Sequence, residues 1–319
     1  MDMALLIKIV PVVLVYLLHV MVAGYAERKL LGRMQARFGP MRVGWHGVLQ
    51  LIADGIKLFF KEDIMPSQAD KPLFYIAPII GVLAAVGSIA IIPLWDGFAI
   101  ADLNIGLLYF LALSSVGAYC IILAGWASNS KYTFLGGLRS SAQVISYEIA
   151  MGLSLVGVMM LTGSANLSDI VRGQTGMWYI IPQIIAFFVF VVSAVAETNR
   201  TPFDLPEGES ELVAGYFTEY SGIRWGLFMM AEYVGMMIMS SIVAVCFLGG
   251  WSGPDFWILA HVPGVIWFIL KVYGFMFFYI WLRGTLPRYR YDQLMGLGWK
   301  VFIPLALANI VLTGLAKLL

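Results

Sequence analysis

Long apolar runs alternate with shorter polar connections along the whole of the 319-residue chain. Eight runs come near the roughly 20 residues that a helix needs to cross a bilayer core, at about 4–25, 73–95, 106–127, 142–162, 177–196, 225–248, 257–281 and 299–317. The first, in "MDMALLIKIVPVVLVYLLHVMVAGYAERK", has neither a basic leader nor a small-residue cleavage pattern, so a retained span is expected rather than a signal peptide. Between the first two runs the period changes. In "WHGVLQLIADGIKLFFKED" Leu49, Ile52, Ile56, Phe59 and Phe60 share one helical face, while Gln50, Asp54, Lys57 and Lys61 line the other. This predicts an amphipathic helix over about 45–63, lying in the membrane interface. A simple interfacial anchor fits the pattern, and so does the roof of a cavity lined by Asp54 and Lys57. The expected fold is an all-α integral membrane protein: eight transmembrane helices plus a cytoplasmic-side amphipathic interfacial helix, in one polytopic domain over residues 1–319.

Composition supports the class and excludes others. The chain is 61% hydrophobic and 12% charged, where soluble domains carry about a quarter of charged residues. A net charge of +1 without a basic tract gives no reason to expect nucleic acid as a partner. Cys120 and Cys246 lie inside apolar runs and the three histidines are not spaced as ligand pairs, so the chain cannot build an iron-sulfur or structural zinc site by itself. No glycine-rich dinucleotide fingerprint follows a strand pattern. Electrons or nucleotides, if involved, must come from elsewhere.

Charge also orients the spans. The connections after runs one, three, five and seven hold 16 of the 20 basic residues. The positive-inside rule then places these four loops in the cytoplasm and both termini on the other side.

Inside the runs the ionisable side chains are few: Lys8, Glu148, Glu232 and Lys271, with Glu197 at a run's end. A charge at the bilayer centre costs at least about 3 kcal/mol on insertion scales, so such groups face protein or water. The connection "ETNRTPFDLPEGESELVAGYFTEY", residues 197–220, then gathers six of the 19 acidic residues: Glu197, Asp204, Glu207, Glu209, Glu211 and Glu219. Pro202 and Pro206 interrupt any helix between Glu197 and Glu207, and Glu207 and Glu211 share a face if a helix resumes. Carboxylates crowded into a partly desolvated space cannot all ionise together, so they take up and release protons near neutral pH. A proton store or relay is expected. The plainer alternative is a wet loop kept soluble by its acids. Against it, no lysine interleaves the acids between Arg200 and Arg224, and the segment is as rich in Phe, Leu, Val and Tyr as in Glu.

Several blocks spell a family. "AERKLLGRMQARFGP", "LQLIADGIKLFFKED", "SYEIAMGL", "AETNRTPFDLPEGESELVAGYFTEYSG", "FMMAEY" and "LRGTLPRYRYDQLMGLGWKVFIPLALANI" are spread over essentially the whole chain. With these the sequence resembles the H subunits of bacterial respiratory complex I, equivalent to the mitochondrially encoded first core subunit of proton-pumping NADH:quinone oxidoreductase. The resemblance implies a bacterial inner-membrane, multi-pass subunit at the joint between the membrane arm and the hydrophilic quinone-reducing module. Its partners are then the other complex I subunits and membrane lipid. Its substrate is a quinone, ubiquinone or menaquinone, and flavin and iron-sulfur clusters sit only in partner subunits.

Carried over position by position, the resemblance makes Glu27, Arg28, Arg37, Asp54, Phe217 and Arg283 candidates for the quinone tunnel. Glu148, Glu197, Asp204, Glu207, Glu209, Glu211, Glu219 and Glu232 match the acidic path of proton translocation, with Arg200 as counter-charge. For Arg28, Arg37 and Arg283 the alternative is a loop charge that sets topology or meets lipid phosphate. The chain departs from the family at Trp45 and Leu51, where proline is frequent, and at Gly235, where asparagine is frequent. The equivalent subunit of a membrane-bound hydrogenase or ferredoxin-linked complex shares much of the pattern. A stand-alone proton-coupled transporter would also use buried carboxylates, but no internal repeat is visible in the sequence.

Overall fold

The computed structural model describes residues 3–206, 208, 212–253 and 262–318, with side chains from residue 10 onward. Its helices are α1 (Met3–Met34), α2 (Gln50–Phe60), α3 (Lys71–Ile89), α4 (Gly106–Ala127), α5 (Lys131–Thr162), α6 (Leu167–Gly173), α7 (Ile184–Glu197), α8 (Gly222–Phe247), α9 (Gly264–Thr285), α10 (Tyr291–Leu297) and α11 (Ile303–Leu318). A π turn, Gly298–Phe302, joins the last two. Among the described residues seven helical stretches are long and apolar enough to cross a membrane, and the chain is an all-α integral membrane protein.

The apolar run at 177–196 yields only the 14-residue α7, about 21 Å at 1.5 Å per residue and short of a roughly 30 Å core. Hydrogen bonding explains the shortening. Gln174 Oε1 accepts from Tyr179 N (3.2 Å) and Gly249 N (2.8 Å), while its Nε2 donates to Val245 O (2.7 Å). The segment before α7 is therefore tied into turns against the end of α8, and Pro182 has no N–H to extend the helix backwards. Conversely, α5 begins at Lys131 rather than near 142. Its early glycines make this possible: a Cβ on Gly137 would stand 3.3 Å from Gly125 Cα of α4, and one on Gly136 would stand 2.9 Å from Tyr216 N. Small residues let these backbones approach closely.

The middle of the bundle is α8, whose residues from Met236 to Phe247 are all buried. Around it pack α1, α3, α7 and α9. The amphipathic α2 contains no buried residue. Ile52, Ile56, Phe59 and Phe60 are exposed on its outer side. Leu51 and Leu58 instead meet Gly24 of α1 and Gly226 of α8.

Candidate functional site

Three groups of polar side chains lie in and around the junction of α1, α8, α9 and the loop after α7. The innermost is built on Glu27, which α1 carries into the protein and which is 4% exposed. Its Oε1 accepts from Arg200 Nη1 at 2.7 Å and from Arg283 Nη1 of α9, and its Oε2 accepts from the Tyr233 hydroxyl of α8 at 2.8 Å. Arg200 reaches a second carboxylate as well. Its Nε lies 2.5 Å from Glu232 Oε1, and its guanidinium sits 5.0 Å from the centre of the Tyr233 ring. Two carboxylates and two guanidinium groups thus share one buried knot in which formal charges cancel. Burial opposes the Arg200 charge, but Glu232 and Glu27 together hold the guanidinium above its ordinary range.

The loop that presents Arg200 is fixed from two sides. Gln143 of α5 donates from Nε2 to Ala196 O and Phe203 O, both at 2.7 Å. From the α9–α10 connection, Tyr289 N donates to Pro202 O (3.1 Å) and Arg288 Nη2 donates to Asp204 Oδ2 (3.0 Å). The irregular backbone expected between Pro202 and Pro206 is thereby held without a helix.

A second group lies along α4. Ser114 Oγ donates to Glu197 Oε1 at 2.7 Å, and the adjacent Ser115 hydroxyl donates to Glu148 Oε1. Consecutive serines therefore hold two different glutamates, one on α7 and one on α5. A cavity of about 150 Å³ joins this group to the knot, with Ser114, Glu197, Asp204, Phe217, Glu232 and Gly235 in its wall. At about 30 Å³ each, that is room for a few waters among polar partners.

The third group is outermost. Arg28 Nη1 donates to Asp54 Oδ2 at 2.5 Å, and Gln50 Nε2 donates to Asp54 Oδ1 at 3.0 Å, tying α1 to α2. Partial burial works to raise the Asp54 pKa. The hydrogen bonds from Arg28 and Gln50 and the charges of Arg28 and Lys57 outweigh it and hold the carboxyl below its ordinary value.

The sequence candidates are thus regrouped. Glu27 and Arg283 lie with Arg200 and Glu232 in a single cluster. Glu197, Asp204, Glu232 and Phe217 share the cavity wall, whereas Asp54 and the exposed Lys57 do not line it. Arg37 is exposed, its Nε donating to Gln35 Oε1 at 2.8 Å. Glu219 is half-buried beyond Phe217. Glu207, Glu209 and Glu211 lie outside the described residues. The tyrosines next to the membrane glutamates turn elsewhere: Tyr147 donates to Leu294 O, and Tyr233 donates to Glu27 rather than to Glu232. Ser114, Ser115, Gln143 and Arg288 are site residues that the sequence pattern does not single out. The only signal for the first two is a pair of serines inside the apolar run "LALSSVGAYC". Among the described residues no group of three His, Cys, Asp or Glu side chains is arranged to hold a metal ion.

The chain matches the family model for NADH dehydrogenase over residues 7–314. It is 53% identical to an H subunit of NADH-quinone oxidoreductase from Geobacter metallireducens, with 98% of this chain and 95% of that protein aligned. It is 54% identical to the H subunit of the same enzyme from Rhodospirillum centenum (91% and 86% aligned) and 54% identical to that from Bacillus cytotoxicus (92% and 87% aligned). Identity above one half over nearly the full length of proteins from distant bacteria, with the "AERK", "ETNRTPFD" and "LRGTLP" blocks meeting in one buried knot, establishes that the chain belongs to the NADH dehydrogenase family of NADH-quinone oxidoreductase H subunits.

Proposed function

We propose that the chain forms the quinone tunnel of a proton-pumping NADH:quinone oxidoreductase and links quinone reduction to an acidic proton path. Glu27, Arg28, Arg37, Asp54, Phe217 and Arg283 serve the tunnel. Glu148, Glu197, Asp204, Glu219 and Glu232 serve the path together with Glu207, Glu209 and Glu211, with Arg200 as the shared counter-charge. The observation that carries this reading is that Arg200 contacts Glu27 and Glu232 at once. The tunnel side and the acidic side thereby meet through one guanidinium.

Reducing a quinone takes two electrons and two protons, so negative charge or proton demand arises at the quinone before the quinol is complete. Arg283 is 36% exposed at its side chain and pairs with Glu27. An anion on the tunnel side competes with Glu27 for Arg283. The freed carboxylate then pulls harder on Arg200 or takes up a proton, and either change alters how strongly Arg200 stabilises the charge of Glu232. Glu232 faces the same cavity as Glu197 and Asp204, so a proton leaving or reaching it enters a space that those two acids also line. The electrons arrive from flavin and iron-sulfur clusters in partner subunits, and the quinone is ubiquinone or menaquinone. In this reading the protein sits in the bacterial inner membrane with both termini on the non-cytoplasmic side.

The test is Glu197→Gln in the intact complex, reconstituted in proteoliposomes. Quinone reduction and coupled proton transport are expected to fall while the complex still assembles. Normal pumping at a normal rate would remove Glu197 from the path.

A further inference from the structure

At the far end of α8 lies a buried charge that the acidic path does not use. Lys271 of α9 is 8% exposed. Its Nζ donates to Leu248 O (2.6 Å), Gly250 O (2.9 Å) and Ser252 O (2.6 Å), and lies 4.7 Å from the centre of the Trp178 ring. An ammonium has three hydrogens and all three are used, with an aromatic face on the remaining side. A neutral amine would turn a lone pair towards a carbonyl oxygen, so the arrangement is built for the charged form. The carbonyls belong to the end of α8 and the turn after it, where the helix dipole also favours a cation.

Position gives the charge a role beyond capping. Glu232 and the cage at residue 248 are 16 residues apart along α8, roughly 24 Å at 1.5 Å per residue. The α7 helix runs antiparallel beside it: Ile180 N donates to Phe247 O near the cage, and Glu197 lies at the opposite end. All the acids of the cavity are thus in one half of the bundle and Lys271 is in the other. Between them α8 carries no Asp, Glu, Lys, Arg or His from Tyr233 to Phe247. Its two serines, Ser240 and Ser241, donate back to Met236 O and Met237 O of their own helix.

We propose that Lys271 is a fixed positive stop that keeps protons of the acidic cavity from leaking along α8 to the opposite face of the membrane. A proton or hydronium ion entering the apolar half must approach an ammonium whose hydrogen bonds are already satisfied. At about 10 Å and an effective dielectric near 20, the repulsion lowers proton occupancy by roughly tenfold. The same device, a fixed cation in a narrow path, excludes protons in other membrane pores. The purpose of the stop rests on the acidic-path reading, but its test does not use turnover. A failed stop and a failed path therefore give different results.

The experiment is passive proton leak through the intact complex in proteoliposomes, without NADH, read as decay of an imposed pH gradient. Lys271→Gln keeps a hydrogen-bond donor and removes the charge, whereas Lys271→Arg keeps both. The glutamine variant is expected to leak about tenfold faster than the wild type, with quinone reduction retained and with the arginine variant tight. A glutamine variant as tight as the wild type overturns the proposal, as does an arginine variant that leaks equally. If the glutamine variant does not assemble, Lys271→Met decides the matter, because it removes the charge and adds no titratable group while keeping an unbranched stem beside Trp178. That variant should leak like the glutamine one, and tight membranes would overturn the stop.

Discussion

Replacing Arg200 with lysine keeps one positive charge in the buried knot while removing the shape that lets it serve two carboxylates. The guanidinium presents Nη1 to Glu27 at 2.7 Å and Nε to Glu232 at 2.5 Å, with its plane over Tyr233. A lysine ammonium is a compact point charge and cannot take up both contacts and the ring together. Losing one charge-assisted hydrogen bond costs about 1.5–3 kcal/mol, and loss of the partly desolvated ring contact adds about 1 kcal/mol. The knot is weakened by roughly 3 kcal/mol, but the complex still has a buried cation between its two acids. It should therefore assemble, unlike an Arg200→Met form that leaves Glu232 without its paired cation and Glu27 with Arg283 alone.

If the fork transmits charge between the tunnel and the path, at least about 2 kcal/mol of this loss should appear in the quinone step. That is a roughly 30-fold fall in kcat/KM for quinone. The assay compares NADH oxidation with quinone against NADH oxidation with an acceptor that bypasses the membrane subunit, alongside the protons moved per electron. The expected result is a large loss with quinone and none with the bypass acceptor. An Arg200→Lys complex with wild-type quinone kinetics and wild-type pumping would refute the reasoning, and so would equal losses with both acceptors.

Three further outcomes follow from the geometry. Arg28→Ala should raise the apparent KM for quinone by the same factor at every pH between about 6 and 8. The reason is that Asp54, held below its ordinary range, keeps its side of the pair above the unfolded aspartate value near 3.9 and loses it only as pH falls through the lower folded value. A quinone titration whose mutant factor shrinks towards pH 6 would assign the effect to another group. Ser114→Ala and Ser115→Ala each remove a hydrogen bond to a membrane carboxylate, worth about 1.5 kcal/mol, and should slow coupled turnover by up to roughly tenfold without loss of assembly, as read by proton uptake in vesicles. Gly235→Asn should fold normally, since a Cβ at that position meets nothing within 4 Å. Pumping should be retained, because the side chain adds one polar group to the cavity wall beside Glu232 and is the one frequent at this position in the family the chain resembles, and lost pumping would show that the cavity's free volume is needed there.

What can be read in the sequence is what local pattern carries. Apolar runs locate the long helices, and the face of Ile52, Ile56 and Phe59 opposite Asp54 locates α2, because helical periodicity needs only neighbours within a few turns. The early start of α5 is hidden because Gly136 and Gly137 read as helix-weakening until their partners, the 215–217 turn and Gly125, are known. The shortened α7 is hidden for a related reason. The turn before it is held by Gln174, whose partners Val245 and Gly249 lie more than 70 residues away. Serines 114 and 115 do not stand out because a hydroxyl inside an apolar helix usually bonds to its own backbone, and nothing local marks the glutamates they meet.

The same limit explains why the candidate residues fall into two separate sets in the sequence. Glu27 and Arg283 stand in blocks matched to a tunnel, and Arg200 and Glu232 in blocks matched to a proton path, with 173 residues separating Glu27 from Arg200. A sequence block conveys what its residues are, whereas a buried charge is defined by what compensates it. Glu27 is compensated from both sets, by Arg283 and by Arg200; the pairs Glu27–Arg283 and Arg200–Glu232 are each neutral, but dividing the four residues that way cuts the Arg200–Glu27 contact. A perturbation of one carboxylate must therefore be felt by the other through the guanidinium they share. For this site the informative unit is the knot rather than either list, and substitutions that keep its net charge while changing its connectivity, as Arg200→Lys does, separate coupling from stability.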